Sequence, residues 1–148
     1  MLCFPAIDPV TGNLPPGVHE SSWTELEAAF GTARWRRQLL SGLRAALGAL
    51  RVAGCRRAYV DGSFVTAKEV PGDFDGCWEA ENVDPDALDP VLLDFKHPRA
   101  AQKAKFGGEM FVANSSATPD GTRFLDFFQI DKNTGDAEGI VAIDLGAL

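Results

Sequence analysis

Cysteine, histidine and long apolar runs are all scarce in this chain. The three cysteines are Cys3, Cys55 and Cys77, and no C-x-x-C pair occurs. An odd number without metal-type spacing supports neither a disulfide framework nor a zinc site. His19 and His97 are the two histidines, a poor supply for an imidazole-based metal centre. Cys55 and Cys77 therefore read as small buried apolar residues. No apolar stretch approaches the ~20 residues that span a bilayer, so no membrane association is expected. The segment Met1–Asp8 lacks the basic region and long apolar core of a secretory signal, and a cytoplasmic location is expected. Basic residues are outnumbered, 14 Lys and Arg against 21 Asp and Glu, for a net charge of −7. That balance argues against a general nucleic-acid binder.

What is present is ordinary for a folded domain: 148 residues, 45% hydrophobic and 24% charged, enough to bury about two-thirds of the unfolded surface. The charge is uneven. Residues 1–57 hold seven arginines and four acids, a net of +3, while residues 58–148 carry −10. An acidic body with an arginine-rich helix can meet RNA or an acidic partner through that helix.

Residues 1–20 contain Pro5, Pro9, Pro15, Pro16, Gly12 and Gly17 and read as an extended arm with turns and without a regular core; its apolar residues Leu2, Phe4, Ile7, Leu14 and Val18 are expected to pack on its own domain or on a partner protein. Residues 21–148 read as a single domain. Ser22-x-x-Glu25 is a capping box opening a short helix from Trp23 to Phe30, with Gly31 as its stop. A second helix covers about 33–53, with Leu39, Leu40, Leu43, Leu47 and Leu50 on one stripe and Gly54 at its C′ position. Strands are expected at 57–61, 74–79, 109–114, 123–131 and 139–145. Further helical regions are expected over 84–95 and around Lys103 and Lys105. Turns at 118–121 and 132–135 would join hairpin neighbours. Helices first, then strands mixed with helices, give an α+β fold class.

The chemistry-bearing segment is Tyr59 to Trp78. An apolar run ends in Gly62-Ser63, and nine residues later Asp73-Phe74-Asp75 follows. Residues two apart in a strand share a face, so Asp73 and Asp75 would stand side by side as ligands for a divalent cation. Magnesium favours carboxylate and water oxygens. Phosphoryl and nucleotidyl transfer need such ions to neutralise phosphate charge. A third carboxylate is expected at Asp126, since a charge within Phe124-Leu125-Asp126-Phe127-Phe128 is costly unless paired or metal-bound. Glu109 is a weaker candidate for an extra carboxylate. Gly62 permits close backbone approach to a phosphate, Ser63 can donate to it, and Lys68 can reach it as a mobile point charge. Arg99, Gln102 and Lys103 share a helix face that could hold phosphates or an acceptor.

The ordered set Gly62, Ser63, Asp73, Asp75 and a later Asp126 between apolar residues resembles the signature of the polymerase-β-like nucleotidyltransferase superfamily, especially the minimal nucleotidyltransferases of bacteria. The resemblance covers residues 59–78 and about 124–128. It implies a mixed β-sheet with helices packed on it and the first two carboxylates on its second strand. It also implies Mg2+ or Mn2+ as cofactor and an NTP as substrate. The loop departs from that pattern: the usual arginine is missing, Lys68 is displaced, and Gly72 rather than serine precedes Asp73. Two functions are expected from this reading. One is a metal-dependent enzyme moving an NMP to a hydroxyl on protein or RNA, in the setting of a toxin–antitoxin module. The other is a nucleotidyltransferase-fold binding module that holds a partner protein and transfers nothing.

Overall fold

The computed structural model describes residues 14–31, 34–61, 74–93, 100–131 and 134–148. The chain is a mixed α+β fold. Among the described residues, five strands form one sheet: β1 (Gly17–Ser21), β2 (Arg57–Asp61), β3 (Phe74–Trp78), β4 (Gly108–Val112) and β5 (Gly139–Asp144). Their order is β1-β5-β2-β3-β4. β1 runs parallel to β5, β2 lies antiparallel to both β5 and β3, and β4 runs parallel to β3. The helices are α1 (Trp23–Phe30), α2 (Arg34–Val52), α3 (Ala100–Phe106) and the short α4 (Phe124–Phe127).

The helix ends follow from their sequences. The Ser22 hydroxyl accepts the Glu25 N–H at 3.1 Å, and a Glu25 carboxylate oxygen accepts the Ser22 N–H at 3.3 Å, closing the expected capping box. Gly31 donates its N–H to the Glu27 carbonyl at 2.8 Å as α1 ends. α2 ends ahead of Gly54, which sits at φ +102°, a conformation only glycine adopts without strain. The leucine stripe of α2 is buried: Leu39, Leu40, Leu43, Leu47 and Leu50 pack with Ala58, Val60, Phe74, Trp78, Met110, Val141 and Ile143 of the sheet. Each such side chain contributes about 1.5–3 kcal/mol by leaving water. α2 crosses α3 at close range, since a Cβ placed on Gly42 would lie 1.8 Å from the Phe106 carbonyl oxygen.

β4 is an edge strand whose outer backbone is covered. The buried Gln102 side chain of α3 accepts the Met110 N–H at 2.8 Å and donates to the Met110 carbonyl at 3.2 Å. One amide thus imitates a neighbouring strand at the point where an open edge would invite pairing.

Three expectations are corrected. The arm carries a strand where irregular chain was expected, residues 17–21 forming β1, while Leu14 packs in the core of its own domain, one of the two places expected for it. Residues 123–131 contain no strand beyond isolated bridges at Arg123 and Ile130, because Phe124, Leu125 and Phe128 put their apolar surface on one helical side. The described part of 84–95 is turns followed by a 3-10 helix at Pro90–Leu93; proline cannot donate within a regular helix.

Candidate active site: an acidic row on one face of the sheet

The strand register sorts the side chains of the central strands onto two faces, because directly paired residues share a face and successive residues alternate. Ala58, Val60, Phe74, Trp78 and Met110 lie under α2. Tyr59, Cys77, Phe111, Ile140 and Ala142 form a second apolar cluster on the opposite face, roofed by Phe124, Leu125 and Phe128. Phe111 stacks on Phe124 with ring centroids 4.2 Å apart.

Two residues along from this second cluster, the same face turns acidic. Asp61 pairs with Asp75 across β2 and β3, and Asp75 pairs with Glu109 across β3 and β4. Three carboxylates therefore stand in one row over three adjacent strands, with Asp75 in the middle. Asp61 is 5% exposed and Glu109 is 9% exposed, while Asp75 is half-buried. The Asp61 charge reaches Cys77 on the same face. Burial, then Asp61, then Glu79 hold the Cys77 thiol far above its ordinary range. Lys103 of α3 reaches around the β4 edge, its Nζ 3.1 Å from Glu109 Oε1. Asp61 and Asp75 have polar or electrostatic contacts of their own.

Side chains directly opposed on neighbouring strands hold their Cβ atoms about 4.5–5.5 Å apart. Like charges at that spacing repel, a penalty that a cation between adjacent members would remove. Carboxylate oxygens suit magnesium, which takes one or two of them and keeps several waters. Among the described residues no three acidic, histidine or cysteine side chains enclose a single cation point. The row instead offers two adjacent pairs that share Asp75.

The expected site residues divide as follows. Asp75 lies on β3, beside the strand that leads into Gly62-Ser63. Gly62, Ser63, Lys68, Asp73 and Arg99 lie outside the described residues. Lys103 is beside the acidic row through Glu109. Gln102, expected on the same phosphate-holding helix face, is turned inward against β4. Asp126 does not join the row. It sits exposed on α4, where Arg123 Nε donates to its Oδ2 at 3.0 Å and Arg123 Nη1 donates to Asn114 at 3.2 Å. Asn114 lies in the turn that follows Val112, past the end of β4 opposite Glu109. The i,i+3 arginine satisfies the carboxylate that the apolar context had marked as costly.

Sequence reasoning ranked Glu109 low and did not single out Asp61, the two acids that the register sets beside Asp75. Both are acids within otherwise apolar strand segments, Tyr59-Val60-Asp61 and Glu109-Met110-Phe111. That is the same signal that singled out Asp126.

At the far end of this face, Arg57 pairs with Glu20 of β1 and donates to the Tyr59 hydroxyl at 3.0 Å. The Tyr59 hydroxyl donates to Glu79 at 2.6 Å. Burial and then the Glu79 hydrogen bond raise the Tyr59 pKa. This closed chain of contacts fixes the sheet and leaves no reactive group free.

No helix among the described residues is long and apolar enough to cross a membrane. No curated protein and no solved structure matches the chain. A family model matches residues 5–144, and the chain belongs to that family, described as a family of unknown function (DUF6932).

Proposed function

We propose, for a chain whose family carries no assigned activity, a divalent-metal-dependent nucleotidyltransferase that moves an NMP from an NTP to a hydroxyl on protein or RNA. The observation that carries this reading is the central position of Asp75, paired on one side with Asp61 and on the other with Glu109. Asp73 precedes it by two residues, the spacing that shares a face in an extended chain. Glu109 takes the part of the third carboxylate in place of Asp126. Bound Mg2+ or Mn2+ would neutralise the triphosphate and lower the barrier to attack by the hydroxyl. Asp75 and Glu109, with Asp73 and Asp61, would be its holders. Gly62 and Ser63 follow Asp61 directly in the chain, which supports a phosphate site next to the acidic row. Lys103, at Glu109 on the β4 side of the row, would meet a phosphate held over that side.

The reading is tested by incubating the protein with each labelled NTP, Mg2+ and a cell extract as acceptor source. Transfer is expected from the wild type and not from Asp75→Asn or Glu109→Gln. Transfer that survives Asp75→Asn would overturn the assignment.

The second reading is a binding module that holds a partner protein and transfers nothing, as an antitoxin does. The Lys103–Glu109 ion pair favours it, because a lysine already neutralises one member of the row. Under that reading the wild type neither transfers label nor binds NTP in a metal-dependent way.

A further inference from the structure

The outer face of α2 carries a cationic ridge on the side of the sheet opposite the acidic row. Arg37, Arg44 and Arg51 follow one another at seven-residue spacing, which holds them in line along about 21 Å of helix. Arg34 stands one turn before them. All four are exposed. Among the described residues none of them has an Asp or Glu carboxylate within ion-pair distance; the arginine ion pairs there belong to Arg57 and Arg123. Arg44 lies over the Trp23 ring at 5.5 Å. Arg37 donates to the Gly31 carbonyl at 3.5 Å, and Arg51 donates to the Leu148 carbonyl at 3.2 Å. In a chain of net charge −7, four surface arginines with no acidic side chain as ion-pair partner among the described residues are conspicuous; Glu27, on the wall of the adjoining groove, accepts from the Trp23 indole N–H instead.

Small residues lie between the arginines. Ser41 and Gly48 alternate with them in the same heptad, and a Cβ on Gly48 would meet nothing within 4 Å. Beside the ridge, Gln38, Ala45 and Val52 repeat at the same interval, and Val52 is 80% exposed. A groove of about 590 Å³ between α1 and α2 borders the ridge and is lined by Trp23, Glu27, Arg37, Leu40, Ser41 and Arg44.

We infer that this face of α2 docks an acidic amphipathic helix of a partner protein, with carboxylates repeating every seven residues. Period and charge both select that occupant. A repeat of seven matches the surface repeat of another helix. The small residues let its backbone come close, and the exposed Val52 gives it an apolar contact. A second copy of α2 is rejected, because two arginine ridges repel. A nucleic-acid strand fits less well, because its phosphates run on over the acidic body, whereas a helix with one carboxylate per heptad confines its charge to the ridge. The docking face is separate from the acidic row and holds whether or not the chain transfers nucleotides.

The test uses the full chain and three fluorescent probes, read by anisotropy at low and at 0.3 M salt. The first probe is a designed helical peptide of three heptads with Glu at one position in each. The second has the same composition with the Glu positions scrambled. The third is a single-stranded oligoribonucleotide. The expected result is at least tenfold tighter binding of the first probe than of the second, weakened by salt. Arg37→Glu/Arg44→Glu should abolish it, and a peptide with Lys in place of Glu should restore binding to that variant. Arg37→Gln/Arg44→Gln, checked for an unchanged thermal transition, should weaken binding without creating affinity for the Lys peptide. Equal binding of registered and scrambled peptides, no binding of either, or preference for the oligoribonucleotide overturns the proposal.

Discussion

Asp75 shows how a residue's meaning changes once its neighbours are known. As half of an Asp-x-Asp it is one of many such pairs in loops. Between Asp61 and Glu109 on a sheet face it is the centre of a row of three carboxylates, to which the proposed function assigns a bound cation. Anything that binds only the folded state raises stability by mass action. Mg2+ at about a hundredfold over its Kd should therefore raise the melting temperature by roughly 5–10 °C. Differential scanning fluorimetry should show that rise in the wild type and in Asp126→Ala, and not in Asp75→Asn. The two described cysteines make the opposite kind of statement. Burial is the first cause that raises the Cys77 and Cys55 thiols, so they stay protonated and inert in the folded chain. Because their folded pKa lies above the unfolded value, their contribution to stability is complete below the ordinary thiol range near 9 and is lost as pH climbs beyond it. Melting temperature should fall as pH rises past about 9. The fall should be shallower in Cys77→Ala, with Cys55 and Tyr59 keeping part of it.

The elements were legible where local chemistry dictates them. The Ser22 capping box, the leucine stripe of α2 and the apolar run of β2 each carry their own signal within a few residues. β1 and α4 were not legible for the same reason in reverse. β1 is a five-residue edge strand after two prolines, and its pairing with β5 lies more than a hundred residues away. In α4 the sequence Phe124-Leu125-Asp126-Phe127-Phe128 looks like a strand, yet only Phe124, Leu125 and Phe128 pack on the second cluster, while Phe127 is 39% exposed. The glycines of α2 test the packing of that element directly. Gly48 faces open space, so Gly48→Ala should stabilise by about 0.5–1 kcal/mol through helix propensity. Gly42 touches the Phe106 backbone, so Gly42→Ala should reverse that sign and cost more than about 2 kcal/mol through overpacking. Urea denaturation of the pair separates intrinsic propensity from tertiary fit. In α3, Gln102→Met keeps the bulk but strands the Met110 N–H and carbonyl. It should cost about 2–4 kcal/mol at the usual penalty for two buried unsatisfied groups.

On the scale of the whole molecule, the acidic row was hidden because it is a product of register. Asp61, Asp75 and Glu109 come from three separate strands, and no local pattern tells which acids a sheet will align. Topology also separates the two charged surfaces: the acidic row lies on one side of the sheet, and α2 with its arginines lies on the other. The same sheet ties the start of the described chain to its end, since β1 covers one edge of β5 from Gly17 through Ser21. Every β5 residue from Gly139 to Ile143 is buried. Gln102 covers the opposite edge at β4, whereas at this end the short strand β1 is itself the edge. Deleting residues 1–21 should leave β5 as an apolar open edge, which pairs readily with another chain. Relative to the full chain, the truncated protein should scatter more light and elute earlier on size exclusion in a concentration-dependent way. Its urea transition should also lose cooperativity, because Leu14 and Ser21 leave with the strand. A truncated chain of unchanged size, unfolding in one sharp transition, would show that β5 closes the sheet without β1.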